Sequence, residues 1–221
     1  MGIALIMLLG ENEGVFALDA QLMTDYPLST CPADPGERVH DGFFYRSDVG
    51  LALFEATASD TGSLPHRSSI RGIGQSAAVS VGETPVRGLV VGLNLWTASL
   101  SPIFVENGRT IKPDDDSVKL TMLRVGPFLD WYPNPRRGFN VLGAVAWAVQ
   151  IEHDTKGNPI KPSAMGASLA AGTGYEWFVS SQLSLGFLGR VDSGWLTRSP
   201  GDRAENTLFV SPTIALTGTY H

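Results

Sequence analysis

The sequence predicts an all-β protein, an eight-stranded antiparallel up-and-down transmembrane β-barrel over residues 41–221, preceded by an N-terminal segment of residues 1–40. Three observations predict it. Eight segments place bulky apolar residues at every second position, the connections between them alternate long and short, and aromatic residues gather at the segment ends. A strand bordered by hydrocarbon must be apolar on one side only, and a spanning sheet must close because lipid offers nothing to an unpaired backbone edge.

The first segment sets Phe43, Tyr45, Val49, Leu51 and Leu53 against Arg46, Asp48, Gly50 and Ala52. The second is the weakest, with Ile73, Gln75, Ala77, Val79 and Val81 against Gly72, Gly74, Ser76 and Ser80. In the third, Leu89, Val91, Leu93 and Leu95 oppose Val90, Gly92 and Asn94; in the fourth, Leu123, Val125, Pro127, Leu129 and Trp131 oppose Arg124, Gly126, Phe128 and Asp130. The fifth sets Phe139, Val141, Val145, Trp147 and Val149 against Asn140, Ala144, Ala146 and Gln150. The sixth sets Leu169, Ala171, Tyr175 and Trp177 against Ser168, Gly172, Gly174 and Glu176. The seventh sets Leu183, Leu185, Phe187, Val191 and Trp195 against Ser184, Gly186, Arg190 and Asp192. The eighth is the clearest, with Leu208, Val210, Pro212, Ile214, Leu216, Gly218 and Tyr220 on one parity and Ser211, Thr213, Ala215, Thr217 and Thr219 on the other. Any one such run is weak evidence, and the repetition carries the reading.

Connections at 82–85, 132–138 and 179–182 are short, whereas 58–68, 99–117, 151–165 and 196–206 are long and polar. Short turns of spanning barrels face the periplasm, so both chain ends are expected there. Phe43, Tyr45, Trp131, Tyr132, Phe139, Tyr175, Trp177 and Tyr220 fall at those same strand ends, and Trp147 and Trp195 lie toward the opposite ones. Tyr and Trp favour a membrane interface because each has an apolar body and a polar tip. The two sets read as girdles.

Composition removes other classes. The 221 residues are 43% hydrophobic and 17% charged, too apolar and charge-poor for disorder. No apolar run reaches the roughly 18 to 20 residues of a spanning helix. The net charge of −6 carries no basic face, so no nucleic-acid partner is expected. Residues 2–9 resemble the apolar core of a secretory signal, with Ala17-Leu18-Asp19-Ala20 offering small residues downstream, and residues 21–40 read as a flexible lead-in. The lone Cys31 cannot form an internal disulfide and reads as an incidental thiol.

Strand count, loop alternation, girdles and the C-terminal strand together resemble the small eight-stranded outer-membrane protein family, with its OmpA-like and OmpX-like barrels. The resemblance implies a bacterial outer-membrane location, membrane lipid and lipopolysaccharide as partners, and a monomer. It also implies recognition of the C-terminal strand, which ends Tyr220-His221, by the barrel-insertion machinery.

Eight strands leave an interior only wide enough for side chains. Inward Arg46, Arg124 and Arg190 face Asp48, Asp130, Glu176 and Asp192, a near-balanced set expected to pair and plug the lumen rather than line a pore. Gly72-Ile73-Gly74 and Gly172-Thr173-Gly174 lack the strand-turn-helix setting of a nucleotide loop and read as relief of lumen crowding. His66, Glu152, His153 and Asp154 in the long loops form no recognisable catalytic constellation, and Asp114-Asp115-Asp116 lacks the spacing of a calcium loop. No enzyme activity, cofactor or metal site is expected. The expected role is structural, or surface interaction through the long loops. The alternative is a soluble lipocalin-like barrel carrying a small hydrophobic ligand, which would need its greasy face inside.

Overall fold

Alternation of the kind just described forces one face of each strand to find a different solvent from the other, and the backbone resolves this by closing on itself. The structure is a computed structural model that describes residues 40, 42–60, 67–106, 109–111, 119–153, 158, 164–198 and 205–221. The strands are β1 Gly42–Asp60, β2 Arg67–Val86, β3 Leu89–Glu106, β4 Arg109–Ile111, β5 Lys119–Trp131, β6 Phe139–His153, β7 Ala164–Phe178, β8 Leu183–Arg198 and β9 Glu205–Tyr220. Every neighbouring pair is antiparallel, and the ladder runs β2-β1-β9-β8-β7-β6-β5-β3, with β2 pairing β3 to close the ring. Strand β4 is a short hairpin partner of the β3 tip, pairing Phe104 to Glu106, and stands outside the ring.

Following the register once around fixes the geometry. Val49 leads to Ala77, Thr97, Leu123, Val149, Met165, Thr197 and Asn206, and Asn206 returns to β1 at Ser59. The stagger from Val49 to Ser59 over eight strands implies a tilt of about 40° and a backbone radius of about 8 Å, using ~3.3 Å per residue and ~4.8 Å between strands. From Phe43 to Leu53 the lipid-facing side of β1 then rises about 25 Å, the height of a membrane's apolar band.

The strands run past that band, which shortens the loops expected from sequence. β1 continues to Asp60 and β3 to Glu106, so polar stretches assigned to loops are partly ladder. Beyond Leu53 the outward positions become Glu55, Thr57 and Ser59, and the exposed Glu55–Arg71 ion pair marks where water begins. The turns at 132–138 and 179–182 match their expected bounds, but the one expected at 82–85 does not. Pro85 cannot donate to a ladder, so the β2–β3 register breaks between Glu83 and Val86 and the chain turns at Arg87-Gly88 instead. Gly88 has φ +81°, and a Cβ there would sit 2.7 Å from the Tyr132 carbonyl oxygen.

The three short connections and His40 are stitched together. His40 donates its N–H to Pro135 and accepts from Gly88, Tyr132 donates to Gly88, and His221 donates to Gln182. His40 therefore belongs to the barrel, one residue inside the segment read from sequence as lead-in. The rest of that segment, with Cys31 and the signal-like residues, lies outside the described residues, as do His66, Asp154 and Asp114 to Asp116.

The candidate functional site, an enclosed charge network

Backbone parity delivers side chains to two environments. Val49, Leu51, Leu53, Leu93, Leu169, Phe187, Leu208 and Ile214 all point outward and are exposed, Ile214 at 73%. Phe43, Tyr45, Trp131, Phe139, Trp147, Tyr175, Trp177, Trp195 and Tyr220 join them at the two rims. Such a continuous exposed apolar surface has no place in water, and a bilayer removes the cost. Tyr132 is a correction: it is 1% exposed and turned into the lumen. Trp131 already occupies the outward parity, so the next residue must face the other way.

All seven charges assigned to the lumen are enclosed, from Arg46 at 0% to Arg190 at 5% exposure. They form two groups. Nearer the short turns, Arg46 contacts Asp130 at 2.5 Å, Asp48 at 3.4 Å and Glu176 at 3.9 Å. Asn140 donates to both Asp130 oxygens at 2.8 Å, while Ser184 and Thr219 donate to Glu176 at 2.7 and 2.8 Å. Gly174 makes room for this: a Cβ there would lie 2.5 Å from Asn140 Oδ1.

In the middle of the barrel Asp192 pairs with both Arg124 and Arg190, the latter at 3.2 Å. The Arg124 guanidinium lies 3.9 Å above the Trp96 ring centroid and that of Arg190 5.4 Å, so a wholly buried indole faces two cations. Desolvated cation–π contacts are worth about 2 kcal/mol or more.

Toward the long loops apolar side chains fill much of the lumen. Phe54, Trp96, Leu100, Leu120, Met122, Leu196 and Phe209 form a buried apolar plug, and Phe54 stacks on Phe209 at 5.8 Å. Sequence reading missed it, since these residues sit beside outward apolar neighbours and blur the alternation. Above the plug, Arg198 binds Glu152 at 2.8 Å. Glu152 therefore serves the lumen, while His153 takes the opposite parity at the end of β6. The gap beside Asp48, Trp96, Leu188 and Arg190 admits no water-sized sphere.

Beneath the lowest charge group sits a floor of rings. His40 stacks on Tyr132 at 3.8 Å, meets His221 edge-on at 4.2 Å and tilts against Phe178 at 4.7 Å. Burial and the neighbouring His221 lower the His40 pKa from 6.5 to about 3, with Glu176 opposing, so His40 is neutral. Burial, reinforced by Asp130 and Glu176, pushes the Tyr132 phenol well above its usual range. Neither histidine stood out in the sequence: they lie at opposite ends of the barrel segment, and only closure of β1 on β9 brings them together.

No family model matches the chain, and no curated protein matches it. Among solved structures it is similar to Neisserial surface protein A, with 11% identity over 81% of this chain and 96% of that one, at a TM-score of 0.48. It is similar to OprG from Pseudomonas aeruginosa, with 10% identity over 83% and 99% of the two chains, at 0.49. It is similar to Ail of Yersinia pestis, with 12% identity over 79% and 99%, at 0.34. On its own closed ladder, outward apolar belt and filled lumen, the chain has the architecture of a small eight-stranded outer-membrane barrel.

Proposed function

We propose that this chain is an integral protein of the bacterial outer membrane, with its short turns and both ends of the barrel's chain in the periplasm and its longer connections outside. In this reading it acts as a structural or surface-interaction protein and not as a channel or an enzyme. The observation that carries the reading is the division of environments: apolar side chains cover the outside while Arg46, Arg124, Arg190 and their carboxylates are sealed within. A lumen closed by the Phe54–Phe209 plug and by the His40–Tyr132 floor argues against conductance. It also argues against a lipocalin-like carrier, whose cavity would have to be apolar and empty.

The non-enzymatic reading is supported by an arrangement among the described residues that superficially resembles a nucleophile and base. Ser184 Oγ lies 3.3 Å from His221 Nε2, but Ser184 is fully buried and its hydroxyl donates to Glu176. No substrate reaches it, and it is not aimed at the imidazole. The outward loops are left as the contact surface, with lipopolysaccharide as the partner they meet first.

Cell fractionation tests the location, and protease accessibility in intact cells tests the orientation. Retention in outer membranes after a carbonate wash, with mobility that shifts on heating in detergent, is the expected result. Cleavage near 196–206 in intact cells, with protection of 179–182, supports the proposed orientation; the reverse pattern overturns it. Recovery as a soluble protein without detergent, or large stable conductance in planar bilayers, overturns the reading.

A further inference from the structure

The short-turn end of the lumen is poor in positive charge. Arg46 is the only cation within salt-bridge distance of Asp130 and Glu176 among the described residues, apart from His221, and it also contacts Asp48. One guanidinium thus serves three buried carboxylates, and Asp48 borders the gap that Arg190 also lines. Even with Arg190 lent to Asp48, the arginines leave this layer one positive charge short. Buried anions need compensation.

Directly below that deficit, three potential ligands converge. His40, Glu176 and His221 are the set among the described residues whose ligand atoms all lie within 4.8 Å of one another. His40 Nδ1 is 3.0 Å from His221 Nε2, which is 3.7 Å from Glu176 Oε2. A tetrahedral ion with bonds of about 2.0 to 2.1 Å needs ligand atoms about 3.3 Å apart; the two His221 separations bracket that edge, and the His40 and Glu176 ligand atoms, within 4.8 Å of each other, would draw together on the ion. We propose that His40, Glu176 and His221 bind a divalent transition ion of the zinc class.

The surroundings suit the chemistry. Two imidazoles and one carboxylate favour zinc over magnesium or calcium, which take all-oxygen sets. Glu176 is oriented by the hydroxyls of Ser184 and Thr219, the outer-shell support that ligating carboxylates use. Both histidines are held by their own backbone bonds, His40 to Pro135 and Gly88 and His221 to Gln182. His40 Nε2 is buried without a hydrogen-bond partner. The site does not depend on which way the barrel faces the membrane.

The test uses the full chain carrying Cys31→Ser, so that the thiol contributes no metal binding, folded in detergent and stripped with a chelator. Zn2+ is titrated by calorimetry, and Co2+ serves as a spectroscopic probe. One equivalent of Zn2+ should bind, and Co2+ should show a tetrahedral nitrogen–oxygen spectrum without a sulfur band. Thr219→Val should weaken binding roughly 10- to 100-fold, and His40→Ala or Glu176→Gln by more. Glu152→Gln at the far end should leave it unchanged. Heat-dependent gel mobility verifies that each variant is folded, so failure of the metal site is distinguishable from failure of the barrel. Absence of Zn2+ binding to the folded Cys31→Ser chain overturns the proposal, as does binding that survives His40→Ala together with Glu176→Gln.

Discussion

Replacing Arg46 with methionine probes the network where it is most dependent on one side chain. Methionine approximates the length of the arginine stem and leaves Asp130, Asp48 and Glu176, now at 2.5, 3.4 and 3.9 Å from the missing nitrogens, without their shared counter-ion. Breaking one buried pair from one side costs about 3 to 5 kcal/mol. Three carboxylates are stranded here, which places Arg46→Met at the upper end, about 5 kcal/mol. Adding Asp130→Asn removes the nearest stranded charge and keeps an oxygen to accept from Asn140, so the double variant should recover about 2 kcal/mol. Urea unfolding of the barrel from lipid vesicles, followed by tryptophan fluorescence, measures both. A loss below about 1 kcal/mol, or costs that simply add, would refute the claim that Arg46 organises the layer.

Other perturbations follow from the same geometry. His40 has a folded pKa lowered from 6.5 to about 3, so its contribution is fully present above 6.5 and is lost as pH falls toward 3. Urea midpoints should show about 2 kcal/mol less stability at pH 5 than at pH 7.5, a difference that His40→Phe removes. Trp96→Ala empties a wholly buried site and frees two guanidinium faces, and should cost at least 3 to 5 kcal/mol in the same assay. Ile214 faces outward midway along β9, so Ile214→Arg should raise the free energy of folding into bilayers by about 2 to 4 kcal/mol. An unaffected Ile214→Arg barrel would argue against a lipid-facing position.

The fold was legible because its cause is periodic. Val49-Gly50-Leu51-Ala52-Leu53 can satisfy hydrocarbon on one side only by alternating, and parity then assigns Arg46 and Asp48 to the interior without any further information. The turns at 132–138 and 179–182 were legible because Pro133, Pro135 and Gly138, and Ser180 with Ser181, interrupt both the ladder and the alternation. Gly82 and Pro85 carry the same chemistry yet lie within β2, where the ladder absorbs them through a shift of register. The loops read too long for a physical reason as well: beyond the belt both faces of a strand are polar or small, as in Ala56 to Ser59, and no alternation remains to detect.

The site was legible in its charges and hidden in its apolar parts. A carboxylate on a lipid-facing strand has one tolerable direction, so the seven charges identify themselves. Phe54, Trp96 and Phe209 tolerate either side, and their neighbours Leu53, Leu95 and Leu208 claim the outward one. The His40–Glu176–His221 cluster depends on closure, a long-range contact that no local pattern announces.

The central claim, that one parity meets lipid and the other is enclosed, reduces to the depth and side of two indoles. In two variants each retaining a single tryptophan, Trp147 or Trp96, bromine-bearing acyl chains should quench Trp147, which is 56% exposed, and leave Trp96, which is 1% exposed, bright. Quenching of Trp96 with a spared Trp147 would contradict the account.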